Sequence, residues 1–153
     1  MASFEDAFEQ HLGDVYAFFA YRLGRVAEAE DLTQATFERA LRAWGRFDER
    51  RGSTRAWLLA IARNLLVDHY RASRPSDTPL HELSADPVPE RGLEPRLESA
   101  LALLSDRDRE ILALRFGADL TGREIAALTG LSLANVQQVL SRALRRLRAE
   151  LEG

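Results

Sequence analysis

The chain has 153 residues, 46% hydrophobic and 29% charged, with a formal net charge of -3, which supports one ordinary core or two small ones and argues against disorder throughout. The absence of cysteine excludes disulfides and thiolate metal sites, and the scattered His11, His69 and His81 offer no local metal site, so no cofactor is expected. No apolar run approaches the roughly 20 residues of a membrane span; the opening MASFEDAFEQ is acidic and amphipathic where a signal peptide is basic and then apolar, so a soluble cytoplasmic protein is expected.

Charge is unevenly placed. Residues 1–75 carry 11 Arg against 11 acids, residues 76–98 carry 2 against 6, and residues 99–153 carry 8 against 7. The acid excess thus lies in the middle and does not argue against a nucleic-acid partner, because binding depends on where basic side chains cluster. Four of the last twelve residues are arginines: Arg142, Arg145, Arg146 and Arg148.

Phe4, Phe8, Leu12, Val15 and Phe19 recur at steps of three and four, which predicts an amphipathic helix running to about Leu23, ended by Gly24. A second helix is predicted from about Ala27 to Trp44, burying Leu32, Phe37, Leu41 and Trp44 and leaving a polar stripe of Asp31, Gln34, Glu38 and Arg42. A third, from about Ser53 to Arg74, places Leu58, Ile61, Ala62 and Leu65 on one side. Its other side holds Ala56, Ala60, Arg63, Asn64, Val67 and Arg71, a face low in bulk and partly basic. That face suits either a nucleic-acid backbone or plain solvent, and the residues alone favour solvent. The loop GRFDERRGS before it suits single-stranded nucleic acid or any surface turn.

Pro79, Pro87, Pro89 and Pro95 fall in the stretch SDTPLHELSADPVPERGLEP, which lacks helical period and bulk and reads as a flexible acidic linker. Beyond it, a helix over about Arg96 to Leu104 precedes Ser105, an N-cap for a helix that Gly117 stops. Thr121 and Glu124 have capping-box spacing. Gly130 allows a tight turn, and Ser132 caps a last helix running to about Leu151. The segment REIAALTGLSLANVQQVL fits a helix-turn-helix: small Ala126 at the crossing, Gly130 at the turn, and Ile125, Leu131, Val136 and Val139 inward. Its second helix would present Ala134, Asn135, Gln137, Gln138 and Ser141 outward, and an amide can make the paired bonds that single out adenine in the major groove. A plain helical hairpin is the alternative; the arginines downstream, placed for phosphate, count against it.

The run EAEDLTQATFERALRAWGRFD, followed by RGSTRAWLLAIARNLLVDHYR, a Pro-rich break, SDRDREILALRFGADLTGREIAALTGLS and SRALRRLRAEL, resembles the small extracytoplasmic-function (ECF) sigma factors of bacterial RNA polymerase, over nearly the whole chain. The resemblance implies an all-α, two-domain protein: residues 1–75 similar to sigma region 2, a linker at 76–95, and residues 96–153 similar to sigma region 4, with a helix-turn-helix. It implies that Asp31, Leu32, Gln34, Phe37 and Glu38 dock on core RNA polymerase, in the beta-prime subunit. It also implies that Arg50, Arg51, Gly52 and Ser53, with Arg63, Asn64 and Arg71, open and read the minus-ten element. Ser132, Ala134, Asn135, Gln137, Gln138, Ser141, Arg142 and Arg145 fall in the part that reads the minus-35 duplex. The linker falls where the family threads acidic chain toward the polymerase active site. Partners implied are core polymerase (beta and beta-prime subunits), promoter DNA and, commonly, an anti-sigma factor.

Two departures bear on specificity. Gln137, Gln138 and Val139 stand where relatives often have Lys-Ser-Arg, with Asn135 at a frequent Thr, and Thr54 stands where an aromatic is common. The expectation is a promoter-directing sigma factor with no catalytic chemistry of its own. Its rival is a stand-alone helix-turn-helix regulator whose first domain dimerises.

Overall fold

The computed structural model describes residues 3–73 and 93–152, and among these the chain is helical with no strand. The linker expected at 76–95 lies, up to residue 92, outside the described residues. Seven α-helices run in order: α1 (Phe4–Arg22), α2 (Val26–Ala43), α3 (Thr54–Ser73), α4 (Pro95–Ala102), α5 (Asp106–Leu112), α6 (Gly122–Thr129) and α7 (Leu133–Glu152). A 3-10 turn, Trp44–Arg46, follows α2, and a π turn, Ala113–Gly117, continues α5.

Most of these boundaries are set locally. Helix starts leave backbone N–H groups without intrahelical partners, and a nearby side-chain oxygen supplies one. Ser3 and Asp6 form a reciprocal capping box on α1. Ser53 Oγ accepts from the Ala56 N–H at 3.0 Å, and Ser105 Oγ from the Asp108 N–H at 3.2 Å. Pro95 occupies the first turn of α4, where a missing N–H costs nothing, and Glu94 caps it. The helical run that begins with α5 ends at Gly117, as expected, through the π turn. Gly117 does not supply a left-handed stop; the left-handed residue is Asp119, with φ 62°, a type that tolerates this region. Its neighbours close the π turn: the Ala118 N–H donates to the Ala113 carbonyl and the Leu120 N–H to the Leu114 carbonyl.

Packing joins what the sequence divides. Val15, Phe18 and Phe19 of α1 and Leu58, Leu59 and Ala62 of α3 share one buried cluster with Ile111, Leu114, Leu120, Ile125 and Val136 from the second half. A satellite of Leu101, Leu104, Leu112 and Ala143 ties α4 and α5 to α7. Gly117 is small because α1 passes against it: a Cβ there would lie 3.0 Å from the Ala17 carbonyl oxygen and 3.1 Å from the Tyr21 ring. The N-terminal aromatics form their own group, with Trp57 packed on Trp44 and Phe47 at 5.7 and 5.0 Å between ring centroids.

Leu32 and Trp44 of the expected core are only half-buried, and three expected core residues are exposed. Phe8 and Leu12 are about two-fifths exposed and Leu41 is 57% exposed, because among the described residues no element covers the shallow groove between α1 and α2. His69 and Tyr70 behave as rim residues: His69 Nε2 lies 3.3 Å from Glu28 Oε2, and the Tyr70 hydroxyl donates to the Arg22 carbonyl.

Phe18 is fully buried in the shared cluster, so Phe18→Ala is expected to cost about 3–5 kcal/mol in a urea titration. Both tryptophans lie in the first half, whereas helicity reports on both halves. Tryptophan fluorescence and far-ultraviolet circular dichroism are therefore expected to give coincident transitions, as one cooperative core requires; separate midpoints would show two independent units.

Candidate nucleic-acid interface

Three surfaces carry the residues singled out by sequence. On α2, Asp31, Gln34 and Glu38 are exposed along one side, as their helical spacing dictates. Leu32 is half-buried against the core, and Phe37 is 4% exposed, its ring 5.0 Å from that of Phe8. Phe37 thus forms the floor of a groove of about 690 Å³ whose walls are Phe8, Leu12 and Leu41 and whose polar rim is Glu30, Gln34 and Glu38. The groove's apolar walls escaped the sequence reading, which had assigned those side chains to the core. Partly exposed large apolar groups rimmed by polar ones are the common make-up of a protein-binding surface.

The second surface spans the loop after α2 and the outer face of α3. Arg50 and Arg51 are exposed, with Asp48 holding the Arg50 guanidinium at 3.2 Å and the Arg51 N–H donating to the Asp48 carbonyl. Asn64 and Arg71 are exposed on α3, and Thr54 opens that helix. Ser53 is exposed and Arg63 half-buried, and both are engaged by partners from the second half. The Ser53 hydroxyl donates to Glu124 Oε2 at 2.7 Å, while Arg63 pairs with Glu110 at 3.0 Å and donates to the Leu128 carbonyl at 3.2 Å. Both contacts reach into the second half, and no pattern local to α3 could reveal them. Between this loop and α6 lies a cleft of about 460 Å³ lined by Phe47, Arg51, Trp57 and Arg123 among others.

The third surface is the helix-turn-helix of α6 and α7. Thr121 and Glu124 form the expected capping box, Gly130 is left-handed at φ 81°, and Ser132 Oγ accepts from the Asn135 N–H at 3.0 Å. Ile125, Val136 and Val139 are buried, so Val139 turns inward rather than into a groove. That fixes the register: Ala134, Asn135, Gln137, Gln138 and Ser141 all face outward. Gln137 leans toward the start of α6, its amide nitrogen 3.5 Å from where a Gly122 Cβ would stand. Arg145 is exposed, whereas Arg142, also exposed, is held by Asp108 at 2.9 Å and so carries a structural partner that sequence did not show.

Burial alone would raise the Glu124 carboxyl, but the Thr121 N–H, the Ser53 and Thr121 side chains and the Arg55 charge together hold it below the ordinary glutamate value. At Glu98 burial prevails over the Arg109 guanidinium beside it and the carboxyl stays raised. Among the described residues no group of His, Asp and Glu is arranged to hold a metal, and no helix is long and apolar enough to cross a membrane.

These surfaces coincide with two family patterns: Sigma-70 region 2 matches residues 7–75, and Sigma-70 region 4 matches residues 100–149. The chain is 40% identical over 147 residues to the probable RNA polymerase sigma-C factor of Mycobacterium bovis, covering 91% of this chain and 78% of that one. It is 36% identical to the ECF RNA polymerase sigma factor BldN of Streptomyces coelicolor over 95% of this chain, spanning 59% of that relative's length. In fold it resembles the sigma factor RpoE solved with the anti-sigma factor NepR from Bartonella quintana, with a TM-score of 0.78 at 24% identity, covering 97% of this chain and 96% of that one. It also resembles CnrH solved with the cytosolic domain of CnrY, with a TM-score of 0.71 at 27% identity, covering 97% and 87%. The chain belongs to the ECF sigma factors of RNA polymerase. It is a DNA-binding regulatory protein of transcription initiation that directs polymerase to promoters.

Removing the Glu124 carboxylate takes away the return bond of the α6 capping box. Glu124→Ala is therefore expected to cost about 0.5–2 kcal/mol at neutral pH. Because the folded-state carboxyl is held low, its contribution is present above the ordinary glutamate range and fades as pH falls through its folded value. The difference between parent and variant in urea titrations is expected to narrow on acidification.

Proposed function

We propose that this sigma factor docks on core RNA polymerase through the α1–α2 groove and the Asp31, Leu32, Gln34, Phe37 and Glu38 side of α2. The loop of Arg50, Arg51 and Ser53, with Arg63, Asn64 and Arg71, handles the separated minus-ten strand. The outward row on α7, with Arg142 and Arg145, reads the minus-35 duplex. Residues 1–75 and 96–153 then act as region 2-like and region 4-like units joined through 76–95. The observation that carries this reading is the pairing, in one chain, of an acid-rimmed apolar groove with a rigidly capped recognition helix that presents amides to solvent. A stand-alone duplex reader has no use for the groove. The protein works in the cytoplasm, where polymerase is, and no catalysis is assigned to it. RpoE was solved with the anti-sigma factor NepR and CnrH with the cytosolic domain of CnrY, and an anti-sigma factor is proposed for this chain as well.

The groove gives the first test. Asp31→Ala with Gln34→Ala is expected to weaken core-polymerase binding in a titration while leaving helicity unchanged, and equal binding would reject the docking surface. Promoter choice gives the second. Asn135, Gln137 and Gln138 can each bond adenine N7 and N6 at once, so adjacent adenines are expected in minus-35 sequences selected from a randomised promoter library with core polymerase. Gln138→Ala is expected to lose about 1–3 kcal/mol of discrimination at one base position. Arg145→Ala is expected to weaken all sequences alike and lower the salt slope by about one, as a lost phosphate contact does. Unaltered selected bases in the glutamine variant would move the specificity to DNA shape.

A further inference from the structure

The cleft between the loop after α2 and the start of α6 has the make-up of a small-molecule site. Its volume of about 460 Å³ lies in the range of ligand pockets. One wall is aromatic: Phe47 and Trp57, both half-buried, have ring centroids 5.0 Å apart and planes tilted by 39°. The rim is cationic, with Arg46 and Arg51 supplied by the loop side and Arg123 by α6. The acids of the cleft are engaged within the protein. Asp48 holds Arg50 at 3.2 Å, and Glu124 accepts from Ser53 Oγ at 2.7 Å and from the Thr121 N–H at 2.9 Å. The three rim guanidinium groups, by contrast, have no hydrogen-bond or ion-pair partner among the described residues.

An aromatic wall beside unpaired cations complements an aromatic base that carries phosphate, since every base has a π-face to stack and guanidinium groups bond phosphate oxygens in pairs. We propose that this cleft binds a free nucleoside diphosphate, with its base against Phe47 and Trp57 and its phosphates on Arg46, Arg51 and Arg123. A single phosphate brings a charge of only about −1.5 to −2, less than the rim can meet, which favours the diphosphate. Glu124, with one bond to each oxygen, keeps capacity to accept from a ribose hydroxyl or a base N–H. A nucleotide within a separated strand offers the same base and phosphate chemistry. It brings one charge per nucleotide into a cavity of about one nucleotide's size, however, and leaves the rim under-neutralised. Arg51 is shared with the surface proposed for the minus-ten strand, but binding in the cleft does not depend on that role, and its test uses no polymerase.

Isothermal titration calorimetry of the full chain is expected to show saturable binding of ADP or GDP. Tryptophan fluorescence is expected to fall in parallel, because Trp57 lines the cleft and Trp44, the other tryptophan, packs on it. Arg51→Ala and Arg123→Ala, both at exposed positions, are each expected to weaken the nucleotide about ten-fold or more, the worth of a hydrogen bond to a charged group. Arg107→Ala, exposed on α5 and outside the cleft, is expected to bind as the parent does. Inorganic pyrophosphate is expected to bind about ten-fold more weakly than the nucleotide, for want of a stacked base. Equal affinity for pyrophosphate would reduce the cleft to a general anion site and overturn the nucleotide assignment. A single-stranded DNA oligomer that binds more tightly than either nucleotide, and loses that advantage in Arg123→Ala, assigns the cleft to the strand and overturns it also. So does the absence of binding by both nucleotides, or binding that survives both arginine variants unchanged.

Discussion

The close approach of α1 to the π turn after α5 is the constraint on which the arrangement depends. Apolar side chains that either half alone would leave wet become one buried cluster, and the gain is roughly proportional to the area removed from water. Gly117 eases the approach, because a Cβ there would press on the Ala17 peptide and the Tyr21 ring at 3.0–3.1 Å and force them to give by a few tenths of an ångström. Once the seam is set, the polar contacts around it follow: Arg109 finds the Tyr21 carbonyl, Arg63 finds Glu110, and Ser53 finds Glu124. Apolar burial fixes the position and the ion pairs sharpen it. Surface pairs of this kind contribute little alone, and their weight lies in specifying which faces meet.

Two surfaces remain outside the seam. Among the described residues the α1–α2 groove is apolar and uncovered, and the outward row of amides on α7 is exposed to solvent. The face of α3 is divided, with Asn64 and Arg71 exposed and Arg63 engaged.

The features legible from sequence were those decided within a few residues. The Thr121–Glu124 box, the left-handed Gly130 and the Ser105 and Ser132 caps depend on backbone groups three residues away, and spacing alone reveals them. The helical stripe of α1 was also legible, but periodicity tells which side is apolar and not whether anything covers it; hence Phe8, Leu12 and Leu41 were assigned to a core they do not join. Gly117 reads locally as a helix stop, whereas its reason is a helix almost a hundred residues upstream. Arg63, read as facing a nucleic-acid backbone or solvent, and Arg142, read as placed for phosphate, were assigned without their partners for the same reason. Their partners Glu110 and Asp108 lie 47 and 34 residues away, beyond any pattern that a single helix displays.

The recognition helix carries a thermodynamic consequence. Its first turn is capped by Ser132, its inner face is clamped by Val136, Val139 and Ala143, and its entry turn is fixed by Gly130. Under the proposed reading, capture of a duplex by this surface orders almost no backbone. The heat-capacity change on binding reports the apolar area that protein and DNA bury against each other, without the large added increment that accompanies folding of a disordered reader. On the proposal that α7 reads duplex DNA, the binding enthalpy then stays nearly constant with temperature, and a van't Hoff plot of duplex affinity is close to linear.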